Sequence, residues 1–270
     1  MKLIPAIKLR IKLLFNYRVH GKYSKIRKND IFLVSYPKSG NTWLRFLIGN
    51  LIHKEKVDFN NFNSIIPDIY LTSKQELDRY HSPRIIKSHE RYIESYPKVI
   101  YIYRDPRDVV ISFYFYHKKY NTNFNDSITE FIQKFINGVD SRYDPWDTHL
   151  KEWFNSPLNA QDNILFLKYE DIKTNEFKAV ETVAKFLELN ADEQEIKQAI
   201  DNSSFQKMQL LEKKQSNTSS YLKNSNKAIN FVRSGKSEWR KYFTEELKNQ
   251  FKTKYGNFLI ELGYEKDLNW

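Results

Sequence analysis

The stretch Ile31-Phe-Leu-Val-Ser-Tyr-Pro-Lys-Ser-Gly-Asn-Thr-Trp43 decides the fold of this chain of 270 residues. Its first part, Ile31–Ser35, predicts a buried β-strand, and the apolar spacing over Asn41–His53 predicts an α-helix. A tight turn that contains Gly40 joins the two. Because free backbone N–H groups and the positive end of the helix dipole converge at such a junction, the stretch predicts a site for a phosphate-like anion.

The turn differs from the loop of nucleoside-triphosphate enzymes, whose pattern is G-x-x-x-x-G-K-[ST]. Ser35 stands in place of the first glycine, Asn41 in place of the lysine, and the turn carries its own lysine at Lys38. The displaced lysine argues against a standard Mg-nucleotide hydrolase. A P-loop kinase or nucleotide hydrolase that uses ATP-Mg stays open as the alternative, because Asp105 follows a strand in the manner of a Walker-B aspartate.

Short apolar runs alternate with helical patterns along the rest of the chain. Strands are predicted at Arg84–Lys87, Lys98–Tyr103 and Ile164–Lys168, and helices near Pro106 and at Glu176–Leu189, Ala191–Ile200 and Thr244–Leu262. This alternation is typical of an α/β fold, a single P-loop-like domain with a central parallel sheet flanked by helices. The domain is expected to span residues 31–270, after a basic amphipathic N-terminal segment of residues 1–30.

The composition excludes several classes of protein. An aromatic content of 16% is too high for a disordered chain, and the absence of cysteine excludes a disulfide scaffold, a thiolate zinc site and a cysteine nucleophile. The 44 Lys and Arg against 33 Asp and Glu give a net charge of +11, which predicts an anionic partner. No recognised nucleic-acid-binding motif is present, so nucleic acid is not the expected partner.

The first 20 residues interleave apolar side chains at helical spacing with basic ones, for example Ile7 and Ile11 with Lys8 and Arg10. They have neither the uninterrupted apolar centre nor the cleavage site of a signal peptide, and no apolar run is long enough to span a membrane. Two interpretations stay open: peripheral contact of residues 1–20 with an anionic membrane surface, or a helix that packs on its own domain. A cytoplasmic location is expected.

The turn Tyr36–Trp43 resembles the 5′-phosphosulfate-binding loop of the cytosolic-type sulfotransferases, which use 3′-phosphoadenosine 5′-phosphosulfate (PAPS). Further segments resemble those of the family in the same order: Val99–Tyr114, Trp146–Trp153, Leu165–Asp171, Ser203–Met208 and Phe231–Trp239. The resemblance implies a sulfotransferase that uses PAPS as co-substrate and no metal. The acceptor would be a hydroxyl of a small molecule or of a glycan.

The resemblance also implies which residues bind PAPS. They are Lys38, Ser39, Gly40, Asn41, Thr42, Trp43, Arg104, Ser112, Tyr169, Ser203, Phe205, Arg233, Ser234 and Gly235. Arg104 and Ser112 would hold the 3′-phosphate, although Arg104 taken alone fits a salt bridge to Asp105 or Asp108 equally well. The segment Phe231–Trp239 is one residue shorter than the family pattern, so Lys236 is the candidate for its second basic ligand.

Four residues are expected to be catalytic: His89, Lys38, Lys87 and Ser112. His89 lies just past a strand in a Lys-Ser-His setting, similar to the Lys-Thr-His of the family, and a histidine can take a proton near neutral pH. It would deprotonate the acceptor for in-line displacement at sulfur; the resemblance implies that Lys38 stabilises the bridging oxygen, that Lys87 steadies the sulfuryl group and that Ser112 restrains Lys38. Glu90 is the rival base.

Overall fold

The computed structural model of the protein describes residues 25–53, 56–138, 143 and 145–270. The predicted amphipathic helix and membrane contact of residues 1–20 therefore fall outside the described residues. Within the described ranges, no helix is both long and apolar enough to cross a membrane.

Four parallel strands form the central sheet, in the order β2-β1-β3-β4. They are β1 (Ile31–Val34), β2 (Ile85–Ser88), β3 (Lys98–Tyr103) and β4 (Ile164–Lys168). Ile31 pairs with Ile85 on one side and with Lys98 on the other, so the carboxyl ends of these three strands lie at one edge. The predicted parallel sheet is confirmed, with β2 shifted by one residue along the chain.

Helices fill the connections and cover both faces of the sheet. They are α1 (Asn41–Ile52), α2 (Phe62–Ile65), α3 (Lys74–Arg79), α4 (Pro106–Tyr120), α5 (Ile128–Ile136), α6 (Trp146–Phe154), α7 (Pro157–Ala160), α8 (Tyr169–Thr174), α9 (Glu176–Phe186), α10 (Glu193–Asn202), α11 (Phe205–Gln215) and α12 (Glu245–Glu261). A 3-10 turn lies at Trp239–Lys241. Helix α10 begins two residues after its predicted start, because Asp192 caps it and forms a capping box with Glu195.

Side chains of β1 alternate between two apolar cores. Phe32 and Val34 belong to the core on one face, whereas Ile31 and Leu33 belong to the core on the other. All four residues are buried, as expected for a parallel strand covered on both faces. The sheet is therefore a rigid support, and ligands of such folds bind beyond the carboxyl ends of the strands.

The turn between β1 and α1 is tight enough to need special backbone conformations. Gly40 has a φ of 104°, and a Cβ atom at this position would lie 2.6 Å from the ring of Tyr169. Lys38 also adopts a left-handed backbone, with a φ of 71°. The close approach of Tyr169 thus explains why glycine precedes α1, and it brings the aromatic ring of α8 next to the helix N-terminus.

Candidate active site

A cavity of about 630 Å³ lies beyond the carboxyl ends of β1, β2 and β3, a volume in the usual range for ligand sites. Most predicted site residues line it: Lys38, Gly40, Asn41, Thr42, Trp43, Lys87, His89, Arg104, Ser112, Tyr169, Phe205, Arg233, Ser234 and Gly235. Lys236 lines it as well. Glu90, the rival base, is not one of the described residues that line the cavity.

Ser39 and Ser203 lie behind the wall, and both are fully buried. The Ser203 hydroxyl accepts a hydrogen bond from Asn50 Nδ2 at 3.0 Å, and its carbonyl accepts one from Trp43 Nε1 at 3.1 Å. Ser203 therefore fixes the indole of Trp43 from behind. The Oγ atom of Ser39 is buried and has no hydrogen-bond partner among the described residues.

His89 is held in one tautomer by the backbone of Ser35. Its Nδ1 atom lies 2.8 Å from the Ser35 carbonyl oxygen. Because a carbonyl can only accept, Nδ1 carries the proton, and Nε2 is left as the acceptor of the neutral ring. Burial, and then the positive charge of Lys87, hold the pKa of His89 well below its usual value. The imidazole is therefore neutral, with a lone pair on Nε2, at physiological pH.

The backbone of His89 is fixed on both sides. Its N–H donates to the Tyr70 hydroxyl at 2.9 Å, and its carbonyl lies 3.1 Å from Nε2 of the fully buried His149. The other ring nitrogen of His149 lies 2.7 Å from the Tyr101 hydroxyl, which donates to it. Sequence reasoning missed both supports, because Tyr70 and His149 lie 19 and 60 residues from His89.

Lys38 lies where several positive charges converge. Its ammonium group packs 4.3 Å from the ring centre of Tyr116 and 4.7 Å from that of Phe231. Burial, followed by the charges of Arg104, Arg233 and Lys87, lowers the pKa of Lys38 to about 7. A bound anion would relieve this repulsion, so the cluster is built for a ligand with several negative charges.

Arg104 is available to a ligand rather than engaged in a salt bridge. Its guanidinium lies 4.4 Å from the ring centre of Tyr169, and its Nε is buried with no partner among the described residues. Asp105 instead binds Arg107 at 2.7 Å, and Asp108 accepts backbone N–H bonds from the start of the 3-10 turn. The open alternative of a structural salt bridge for Arg104 is therefore wrong.

Arg233 reaches the cavity from the segment after α11. Its guanidinium lies 2.5 Å from a carboxylate oxygen of Glu238 and 4.3 Å from the ring centre of Phe115. Because Glu238 also lines the cavity, this ion pair is placed where an incoming phosphate would compete with the carboxylate.

Three aromatic rings form the wall on the side of α8 and α11. The ring centre of Trp43 lies 5.5 Å from those of both Tyr169 and Phe205. Gly235 closes this wall with a φ of 67°, and a Cβ atom there would lie 2.5 Å from the Phe205 ring. Flat apolar faces next to a cationic cluster are suited to a nucleotide base next to its phosphates.

The residues present thus fit PAPS. Arg104 lines the cavity and its Nε is a donor without a partner among the described residues, and four cations with three aromatic rings match a base that bears several anionic groups. Over the described residues, no group of three or more His, Cys, Asp or Glu side chains is arranged to hold a metal ion. Together, the parallel sheet, the phosphate-type turn and this cavity define a P-loop-like group-transfer enzyme.

Comparison with known proteins identifies the family. Residues 28–263 match the model of the sulfotransferase domain. Sulfotransferase 1E1 from Bos taurus is 31% identical over 85% of this chain and 83% of its own length. Flavonol 4′-sulfotransferase from Flaveria chlorifolia is 30% identical over 83% of this chain and 77% of its own length. The chain therefore belongs to the sulfotransferase family, and it is a PAPS-dependent sulfotransferase that transfers a sulfuryl group from PAPS.

Solved structures agree with this assignment. The crystal structure of mouse sulfotransferase SULT7A1 with PAP (adenosine 3′,5′-bisphosphate) aligns with a TM-score of 0.70 and 25% identity, covering 94% of each chain. A retinol dehydratase in complex with retinol and PAP shares the fold at a TM-score of 0.70 and 21% identity, covering 92% of this chain and 86% of that one. The alternative of an ATP-Mg kinase or hydrolase is not favoured.

Proposed function

We propose that His89 is the general base and that the acceptor is a small molecule with a hydroxyl on an aromatic or otherwise flat apolar body. The observation that carries the first part is the 2.8 Å contact between His89 Nδ1 and the Ser35 carbonyl. This contact leaves Nε2 as the acceptor nitrogen of a histidine that lines the cavity. Bound PAPS supplies the sulfuryl group and a bisphosphate leaving group. His89 takes the hydroxyl proton as the oxygen attacks sulfur in line.

The cationic cluster takes the remaining roles. Lys38 stabilises negative charge on the bridging oxygen, Lys87 steadies the sulfuryl group, and Arg104 with Ser112 holds the 3′-phosphate. Charge that develops only in the transition state is the charge whose stabilisation raises the rate. The Lys38 ammonium lies on two aromatic rings, with no hydrogen bond to Ser112 among the described contacts, so restraint of Lys38 by Ser112 stays a prediction.

The surroundings of His89 support an apolar acceptor. Its ring centre lies 6.3 Å from that of Tyr70, in a stacked arrangement, and 5.7 Å from that of Tyr143. Phe113 and Tyr116 continue this lining. Stacked rings favour a flat apolar body over a glycan, whose hydroxyl groups would lose hydrogen bonds to water here. The name of the flavonol 4′-sulfotransferase supports the same class of acceptor.

Three predictions from the sequence belong with this proposal. Residues 31–270 are proposed to form the catalytic domain. Peripheral membrane contact through residues 1–20 stays a prediction, because residues 1–24 lie outside the described chain. A cytoplasmic location stays a prediction as well.

The test combines one variant with an acceptor panel. His89→Asn keeps an N–H that can donate to the Ser35 carbonyl but has no basic nitrogen, so turnover is expected to fall by about 100-fold or more. Binding of PAP should stay within about twofold, since PAP does not need the base. His81→Asn, an exposed histidine outside the cavity, is the matched control.

The panel measures transfer from labelled PAPS to phenols, flat polycyclic alcohols, aliphatic alcohols and glycans. Flat hydroxyl compounds are expected to be the best acceptors. If His89→Asn keeps wild-type turnover, His89 is not the base, and Glu90→Gln then tests the rival. If glycans are the best acceptors, the acceptor class proposed here is wrong.

A further inference from the structure

Asp68 lies beside Lys87 at the edge of the sheet. The backbone N–H of Lys87 donates to the Pro67 carbonyl at 2.8 Å, and the Ile69 N–H donates to the Lys87 carbonyl at 3.1 Å. These bonds make an isolated parallel bridge between Asp68 and Lys87. The two side chains are therefore neighbours because the backbone places them so, and not because two flexible groups happen to meet.

The carboxylate of Asp68 has a donor on each oxygen. Its Oδ2 lies 2.9 Å from the Lys87 ammonium, and its Oδ1 accepts the Tyr70 N–H at 2.9 Å. Asp68 and Lys87 are 6% and 8% exposed, and both line the cavity. Since both oxygens are engaged, Asp68 is not offered to a positively charged acceptor. Its direct partner is Lys87.

Lys87 is surrounded by charges that act on it in opposite directions. Burial favours its neutral form and lowers its pKa, whereas Asp68 favours the charged form. Arg45 of α1 opposes the charged form, and Glu90, after β2, favours it. Lys38 in the turn adds a further positive charge in the same cavity. Asp68 is the one acid in direct contact with the Lys87 ammonium within the described residues.

Lys87 lies in β2 and His89 one residue past its end, and both side chains line the cavity. The charge of Lys87 is felt by His89, whose pKa it lowers. We propose that Asp68 is a positioning residue of the transfer reaction, which keeps the Lys87 ammonium charged and directed at the sulfuryl group beside His89. This inference rests on the proposed role of Lys87.

The variant Asp68→Asn removes the negative charge and keeps the size of the side chain, and Asp68→Glu restores the charge. Asp126→Asn is the control, because Asp126 forms an ion pair with Lys134 outside the cavity and its loss changes the net charge equally. Lys87→Met removes the ammonium group. The double variant Asp68→Asn/Lys87→Met removes the whole pair, so that no buried charge is left without a partner.

Two measurements report on the ion pair between Asp68 and Lys87. The first is NMR of protein carrying ¹⁵N-labelled lysine, in which the Lys87 Nζ resonance is assigned by its loss in Lys87→Met. The second is turnover with saturating PAPS, and PAP affinity, between pH 6 and pH 9. In Asp68→Asn the Lys87 titration is expected to move down by about 1 to 3 pH units, the effect of losing a close opposite charge.

Turnover of Asp68→Asn should therefore fall at least tenfold at pH 8.5 and recover as the pH is lowered, while PAP affinity stays within about threefold. Asp68→Glu should restore most of the turnover, and Asp126→Asn should behave as wild type. The pH titration of the Lys87 Nζ resonance tests the effect of Asp68 on Lys87 without measuring catalysis.

The outcomes separate this inference from the proposed function. If Lys87→Met and the double variant keep turnover, the role of Lys87 is wrong, and the inference falls with it. If they lose turnover but Asp68→Asn follows the wild-type pH profile, the role of Lys87 stands and the inference is overturned. A loss of turnover in Asp68→Asn that is equal at every pH, with the Lys87 resonance unmoved, would show a structural role only and would also overturn it.

Discussion

Binding of PAP should take up a proton through Lys38. The pKa of this ammonium is lowered to about 7 by burial and by the neighbouring positive charges. A bound bisphosphate supplies negative charge at the same place, so the pKa of Lys38 must rise in the complex. Because binding raises the pKa, the contribution of Lys38 to affinity is largest below pH 7 and is lost as the pH rises above this value.

The size of the effect follows from a free pKa of about 7. At pH 7.5 about three quarters of the free Lys38 is neutral, so each binding event should take up about 0.8 proton. Between pH 7 and pH 8, where the phosphate groups of PAP are already largely ionised, the affinity for PAP should fall about fivefold. The phosphate groups of PAP are almost fully ionised at pH 7.5 and contribute little to the uptake.

Calorimetric titration with PAP at pH 7.5, in buffers of different ionisation enthalpy, measures the proton uptake directly. Lys38→Arg is the matched control, because a guanidinium stays charged at every pH used and its uptake should be near zero. An uptake near zero in the wild type would refute the reasoning. An uptake of the same size in Lys38→Arg would show that another group takes the proton.

Two further predictions concern the wall and the support of the site. Gly235→Ala should weaken PAP binding about tenfold, because its Cβ atom would lie 2.5 Å from the Phe205 ring. Gly263→Ala is the control: this glycine has a similar φ but open surroundings, so the substitution should leave PAP binding unchanged. Fluorescence titration with PAP measures both affinities. Tyr101→Phe removes the hydroxyl that donates to His149. It should lower the free energy of unfolding by about 1 to 2 kcal/mol. Turnover should fall about threefold, and PAP affinity should stay unchanged. Denaturant unfolding and steady-state rates check it, and unaltered turnover would show that this hydrogen bond does not position the base.

The sequence predicts the parts of the site that lie next to each other in the chain. The turn that contains Gly40 follows a strand and precedes a helix, so its anion-binding character can be read from a dozen residues. Arg104 could be placed at a strand end, but its freedom from a salt bridge depends on Arg107, which occupies Asp105. Asp68 carries no local signal at all, because its contact with Lys87 arises from an isolated bridge between distant segments.

The segment that carries Arg233 shows why such distant contacts matter most. Glu212 of α11 accepts the backbone N–H groups of Phe231 and Val232 at 2.6 and 2.7 Å, and Asp108 of α4 accepts that of Glu238 at 2.8 Å. Buried carboxylates thus hold both ends of a cationic segment by its backbone. Because Glu212 and Asp108 are bonded to backbone N–H groups, they fix the segment without pairing with Arg233, whose carboxylate partner is Glu238. The net charge of +11 predicts an anionic partner, but these acids determine where the positive charge is available to bind it.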